Sequence, residues 1–375
     1  MATAYQIHQL WPDAHAIVLE KNPDLAGEQS GHNSGVLHAG LYYAPGSSKA
    51  RLAVAGIREM TAFCRAHGIA HEICGKLVVA TTDAEIPRLR ALFDRGTRNG
   101  LTGLRWLSAA EARDIEPSVG AAAAVHVPEE GIVDYPGVCR ALADDVVAAG
   151  GRIILNARVT AIRPSWIAET PVGAFEGDFL INCAGLQCDQ IARMSGARVD
   201  VRIVPFRGEY FVVRPDRRHL VRNLIYPVPD PAFPFLGVHF TRHIDGSIEA
   251  GPNAVLAFDL REGRTALAFP GLWRFMAKYP RVCAGELWRS GSRARFARAL
   301  ARLVPDIRAD DLAPGGAGVR AQAMRSNGSF VDDFHFVDQP RALHLLNAPS
   351  PGATASLAIG REIVTRLQPA LTYAA

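Results

Sequence analysis

Near its start the chain carries the run Ala16-Ile17-Val18-Leu19, closing on Glu20-Lys21. Four consecutive apolar residues, two of them β-branched, read as a buried strand of a parallel sheet. Ala2 to Leu10 ahead of it reads as a helix, with Trp11-Pro12-Asp13 as the turn between them. Helix followed by parallel strand is the second half of a βαβ unit. A carboxylate at the carboxyl end of such a strand can accept two hydrogen bonds from a ribose diol, the use dinucleotide folds make of it. In those folds a G-x-G-x-x-G loop joins the first strand to the helix, roughly 20 residues before the acid. Counted back from Glu20, that loop falls at or before Met1. The expectation is therefore a nucleotide-binding fold that lacks its first strand and its glycine loop.

The rest of the chain reads as α/β with a β-rich insertion. Ser47 to His67 is a long helical stretch, Leu77 to Ala80 ends a strand, and Ser108 with Glu111 has capping-box spacing for a short helix. Tyr135 to Ala149 reads as a helix closed by Gly150-Gly151, and Arg152 to Leu155 as a strand. Phe179 to Gly185 reads as a buried strand running into a glycine turn. From Val201 to about Arg289, short alternating segments punctuated by Pro and Gly predict an antiparallel sheet. His344 to Leu367 reads as strand, loop and helix. The domain reading is a discontinuous nucleotide-binding unit over 1–75, 131–200 and 315–370, with a substrate domain over 76–130 and 201–314.

A length of 375 residues suits two such domains, and 49% hydrophobic with 21% charged residues is a globular balance. No apolar run approaches the ~20 residues that cross a bilayer, and the N-terminus has no secretory signal pattern. The reading is a cytoplasmic protein, with peripheral contact at the inner membrane left open. The formal net charge is +4, and arginine dominates; lysine stands only at Lys21, Lys49, Lys76 and Lys278. No basic run is interleaved with aromatics, which argues against nucleic acid as a partner. The six cysteines include no C-x-x-C pair, so no metal site and no disulfide framework is expected.

One string carries more. Asn33-Ser34-Gly35-Val36-Leu37-His38-Ala39-Gly40-Leu41-Tyr42-Tyr43 is followed by Pro45-Gly46-Ser47. Later come Pro205-Phe206-Arg207-Gly208-Glu209-Tyr210, Ile225-Tyr226-Pro227-Val228-Pro229, and Phe235-Leu236-Gly237-Val238-His239. Gly251-Pro252-Asn253-Ala254, Gly318-Val319-Arg320-Ala321-Gln322 and Asn347-Ala348-Pro349-Ser350-Pro351-Gly352-Ala353-Thr354 complete the set. Taken in this order over nearly the whole chain, they resemble the L-2-hydroxyglutarate dehydrogenase/oxidase family of D-amino-acid-oxidase-like flavoproteins. The chain departs from the family's pattern at Glu28 to His32, at Glu262-Gly263-Arg264, and at Gly352, where relatives commonly carry alanine.

The resemblance implies a Rossmann-like FAD domain and an antiparallel substrate domain covering the flavin. It implies that Glu20, with Lys21 beside it, holds the adenosine ribose, and that Ser34, Gly35 and Val36 lie beside the pyrophosphate and flavin. Ala184 and Gly185 would pass close to the cofactor. Ser350, Pro351, Gly352, Ala353 and Thr354 precede a helix whose positive end would face the flavin pyrimidine. His38 is the expected base for the hydroxyl proton, since imidazole suits that transfer near neutral pH, and His239 is its rival. Arg320 is expected on the substrate carboxylate as a bidentate fork. A dicarboxylate needs a second group, and Arg207 or Tyr210 is expected to supply it.

The implied reaction is oxidation of L-2-hydroxyglutarate to 2-oxoglutarate, with oxygen or a quinone as electron acceptor. Two alternatives stand beside it. One is another FAD oxidase of the same superfamily, acting on an amino acid or secondary amine. The other is a non-catalytic fragment that does not hold FAD. A nicotinamide dehydrogenase shares Glu20 but gives no reason for the Ser350 to Thr354 loop.

Overall fold

The protein is described by a computed structural model that covers all residues except 231–236, 258–260, 282, 286–291 and 373–375. Phe235 and Leu236, and the expected sheet boundary near Arg289, lie outside the described residues. Helix α1 (Ala2–Leu10) leads into β1 (Ile17–Leu19), as the opening run predicts. A large sheet and a helical layer enclose one long cavity, and the layout follows from which faces are apolar.

The parallel strands of the nucleotide-binding half lie in two pieces. β1 pairs in parallel with β8 (Arg152–Ile154), and β12 (Leu180–Asn182) pairs in parallel with β20 (Ala342–Asn347). On its other side β20 pairs antiparallel with β19 (His335–Gln339). β1 is less buried than its sequence suggests: Ile17 is 37% exposed. The reason is local. β1 has one ladder neighbour, and all three of its residues also line the cavity.

Helix α2 (Ser48–Ala66) starts where Ser47 accepts a hydrogen bond from the Ala50 N–H, a side-chain N-cap. It packs with α1 against the last helix, α10 (Ser356–Thr372), and α1 also meets α5 (Tyr135–Ala148). β2 (Val36–Leu37) and β3 (His71–Glu72) flank β7 (Gly131–Val133) in a small antiparallel sheet. β9 (Ala161–Arg163), β10 (Ile167–Thr170) and β11 (Gly173–Glu176) form a meander. α6 (Cys188–Met194) follows the glycine turn after β12.

The second half is one nine-stranded sheet. β13 (Val201–Val213) runs between β18 (Leu312–Arg325) on one side and β16 (Ile248–Gly251) and β17 (Val255–Leu256) on the other. β15 (His239–Arg242) and β14 (Leu224–Pro227) carry the sheet to β4 (Lys76–Ala80), β6 (Ala123–Val127) and β5 (Arg105–Ser108). All pairs are antiparallel except β14 with β4. The Ser108–Glu111 capping box opens α4 (Ala109–Ile115), and α3 (Ile86–Arg98) packs on β4 and β6.

Three boundaries differ from expectation. β18 runs in the large sheet as far as Arg325, past the break expected at 315, and its ladder with β13 is unbroken apart from one bulge. Residues read as short strands after Val255 include helices α7 (Arg261–Ala266) and α8 (Pro270–Lys278), the latter opened by proline in its first turn. β13 itself is a single 13-residue strand, not several short ones.

β4 shows how two cores meet. Its five residues are all buried, and they alternate. Val78 and Ala80 join a cluster with Leu37, Met60, Phe63 and Tyr226. Leu77 and Val79 join a second cluster with Phe240 and with Phe296 and Leu300 of α9 (Arg293–Leu300). Each large side chain fully buried there contributes about 1.5–3 kcal/mol. Lys76 stands on the same face as Val78 and Ala80, in an otherwise apolar strand.

Candidate active site

A cavity of about 1750 Å³ runs from the two parallel pieces to the large sheet. Single small-molecule sites span roughly 300–1,000 Å³, so this one has room for a dinucleotide and a substrate together. Glu20, Lys21, Ser34, Val36, Ala184, Gly185 and the whole Ser350–Thr354 loop line it, and so do His38, His239, Tyr210 and Arg320. Residues from seven separate parts of the chain thus share one space.

At the nucleotide end Glu20 accepts a hydrogen bond from the Asn22 N–H at 2.8 Å, and Lys21 is paired with Glu28. Gly185 turns the chain after β12 with a φ of +53°, a left-handed geometry suited to glycine. At the other end the Ser350–Thr354 loop delivers the N-terminus of α10 to the cavity wall. Among the described residues the N–H groups of Ala353 and Thr354 have no acceptor. Unpaired donors at a helix start, with the positive end of its dipole, suit the electron-rich edge of a flavin. The residues present therefore fit FAD at the ribose and flavin ends. The sequence has no G-x-G-x-x-G loop to cradle the phosphates between them.

Gly35 does not line the cavity, although Ser34 and Val36 do. Its φ of +64° and the hydrogen bond from Val133 N–H to its carbonyl make it the turn that presents its neighbours. Arg207 is also off the cavity wall. On β13 the alternation puts Phe206, Gly208 and Tyr210 on the wall, and Arg207 takes the other face. The expected second carboxylate partner thus stands off the wall that Arg320 and Tyr210 line.

His38 is anchored through its backbone. Its N–H donates to Thr354 Oγ1 at 3.2 Å, Thr354 donates to the Val36 carbonyl at 3.2 Å, and the Tyr135 hydroxyl lies 2.7 Å from Thr354 Oγ1. This ties β2, α5 and the start of α10 together at the reacting end. The His38 ring is 3.7 Å from Glu130, whose side chain is fully buried, and Glu130 is ion-paired with the equally buried Lys76.

His239 is a different environment. Its Nδ1 is 2.8 Å from the Gly237 carbonyl, and its ring stacks on Tyr226 with centroids 3.9 Å apart. Burial first, then the charges of His38, Lys76 and Arg320, push it down to about 3 against the pull of the Gly237 carbonyl, so it is neutral near pH 7. A base that weak is poorly matched to proton abstraction at neutral pH. The geometry favours His38 in that role.

Arg320 lies on β18 opposite Phe206 of β13. Burial lowers its pKa, against the opposing influence of Tyr210 and Tyr43, but a guanidinium stays charged. Burial also raises Tyr210 to about 12, which keeps its hydroxyl a donor beside Arg320. Two residues of this end went unnoticed in the sequence. Lys49 lines the same wall, its pKa lowered to about 8 by burial and by Arg320. Tyr43 carries its hydroxyl 3.5 Å from Ser350 Oγ. Two cations and two phenols share this end of the cavity with Asp332 and Asp333, whose carboxylates act on Lys49. The signal for Lys49 was its rarity in a chain that otherwise uses arginine.

The family model described as FAD dependent oxidoreductase (DAO) matches residues 1–366. L-2-hydroxyglutarate dehydrogenase of Indibacter alkaliphilus is 46% identical, covering 96% of this chain and 94% of that protein. The Escherichia coli K12 enzyme of the same name is 43% identical over 98% and 90%, and the human mitochondrial one 39% over 98% and 86%. Among solved structures, L-α-glycerophosphate oxidase of Mycoplasma pneumoniae with FAD bound superposes with a TM-score of 0.78 at 22% identity, covering 98% of this chain and 91% of that one. Glycine oxidase of Geobacillus kaustophilus gives 0.73 at 18%, over 96% and 89%. These two share the fold. Matched by the family model over residues 1–366 and by these relatives over nearly its whole length, the chain belongs to the L-2-hydroxyglutarate dehydrogenase family of FAD-dependent oxidoreductases.

Proposed function

We propose that the chain oxidises L-2-hydroxyglutarate to 2-oxoglutarate. The observation that carries this reading is His38 and Arg320 on the wall of one cavity, in a chain akin to enzymes of that name over nearly its full length. Arg320 binds the carboxylate next to the reacting carbon, and its planar fork fixes orientation as well as affinity. Tyr210 and Lys49 take the distal carboxylate. His38 accepts the hydroxyl proton through the ring nitrogen turned to the cavity. Bound FAD supplies the acceptor for the α-hydrogen and its electron pair. The start of α10 and the Thr354 network hold the flavin-side wall in register with His38.

Oxygen or a quinone serves as second substrate. A membrane quinone calls for peripheral contact at the inner membrane, since no helix among the described residues is long and apolar enough to cross a bilayer. Turnover of the FAD-loaded protein with a panel of 2-hydroxy acids, amino acids, sarcosine and glycerol 3-phosphate tests the substrate. The expected order puts L-2-hydroxyglutarate first in kcat/KM. Faster turnover of an amine or of glycerol 3-phosphate overturns it.

A further inference from the structure

Lys76 and Glu130 are both fully buried, and they are paired with each other beneath the reacting end of the cavity. Taking two charges out of water costs several kcal/mol each, and an apolar pair of similar volume usually serves stability as well. Stability alone is therefore a poor account of why they are here. Their surroundings give a better one. The Lys76 ammonium sits 4.6 Å from the ring centroid of Tyr42 and 4.9 Å from that of Tyr226, so two aromatic faces and one carboxylate form its socket. Glu130 accepts from the Ala39 N–H at 3.1 Å through one oxygen, while its other oxygen faces His38 Nδ1 at 3.7 Å. The carboxylate therefore holds the backbone of the segment that carries the proposed base and faces its ring from just beyond hydrogen-bond distance.

We propose that Glu130 is a positioning residue for His38 and that Lys76 holds Glu130 ionised for that task. This rests on the assignment of His38 as base. A carboxylate at Nδ1 fixes the tautomer with hydrogen on Nδ1, which turns the Nε2 lone pair to the substrate hydroxyl. When His38 takes the proton, Glu130 stabilises the imidazolium. Lys76 keeps the proton from passing on to Glu130. Burial alone would raise Glu130, but Lys76 and the contact with His38 override it and hold it at about 2. Around His38 and Glu130 the other ionisable groups are His239, which is neutral, the phenols of Tyr42, Tyr43, Tyr135 and Tyr226, and Arg320, which acts on His239.

The test compares wild type with E130Q, the double variant K76M/E130Q, and H38Q, all FAD-loaded. Both Glu130 variants are expected to lose roughly 10²–10⁴-fold in kcat with KM within about threefold. The double variant, having no unpaired buried charge, is expected to unfold at or near the wild-type denaturant midpoint. In E130Q the acidic limb of kcat/KM moves to lower pH, because a negative charge beside the base is gone and Lys76 stays. A second readout needs no turnover. Imidazole nitrogen NMR, assigned with H38Q, is expected to find hydrogen on Nδ1 of His38 in wild type and a tautomer mixture in both variants. Wild-type kcat and an unchanged His38 tautomer in K76M/E130Q overturn the proposal while H38Q stays inactive. Full activity of H38Q overturns the base assignment itself.

Discussion

Thr354→Val removes one hydroxyl that holds the reacting end together. Thr354 is 1% exposed, and its oxygen accepts from the His38 N–H at 3.2 Å. Valine has nearly the same shape, so no cavity opens. The Val36 carbonyl keeps the Tyr135 hydroxyl at 3.0 Å, so those two groups remain paired. The loss reduces to one orphaned donor, the His38 N–H, and an unpaired buried donor costs about 1–3 kcal/mol. The lower half of that range applies, because the His38 backbone is only part-buried. Thr354→Ser keeps the hydroxyl and loses one methyl group, about 0.8 kcal/mol. Urea midpoints of the two variants, measured beside wild type, give the comparison. The kcat of Thr354→Val is expected to fall as well, since the backbone that carries His38 loses its anchor. Equal stability and equal kcat in the valine and serine variants would refute the network as drawn.

The carboxylate assignments separate by strand face. Arg320→Met is expected to raise KM for L-2-hydroxyglutarate by roughly 10- to 150-fold, the worth of a charged hydrogen bond of about 1.5–3 kcal/mol. Arg207→Met, on the far face of β13, is expected to leave KM within about twofold; an equal rise in both would undo the reading of the wall. Stability against pH follows from two buried histidines, His239 at about 3 and His344 at about 4, both depressed mainly by burial. Below the ordinary histidine value near 6.5 the unfolded chain binds protons that the folded chain refuses, so stability falls as pH drops from there toward 3–4. The slope is about 1.4 kcal/mol per pH unit for each such histidine once well inside the window. Denaturant midpoints at pH 7, 6 and 5 check this, and a flat profile would contradict it.

Much of this arrangement was legible in the sequence because it depends on local signals. The apolar run before Glu20, the capping box at Ser108 and the strand-loop-helix at the end each announce themselves within a few residues. His38, Arg320 and the Ser350–Thr354 loop stood in recognisable strings, and the fold brings them to one cavity. What was not legible depends on pairing at a distance. Arg207 sits in a recognisable string, but only the register of β13 shows which way it faces. Glu130 and Lys76 lie 54 positions apart in sequence, in strings with no motif, and meet because β4 and the turn before β7 converge behind His38. A lone lysine at the head of Lys76-Leu77-Val78-Val79-Ala80 was the one local hint, since a charge on a strand buried on both faces needs a partner. Helices α7 and α8 were missed because proline and glycine punctuation reads equally well as turns between strands.

In the proposed reaction His38 takes the proton as L-2-hydroxyglutarate is oxidised. Anaerobic rapid mixing of FAD-loaded protein with this substrate, followed by loss of flavin absorbance, tests it before any second substrate enters. Bleaching by the L-enantiomer and little by the D-enantiomer is expected. The reduction rate in H38Q is expected to be lower by roughly 10²–10⁴-fold, with substrate affinity preserved through Arg320. Bleaching of H38Q at the wild-type rate would contradict it.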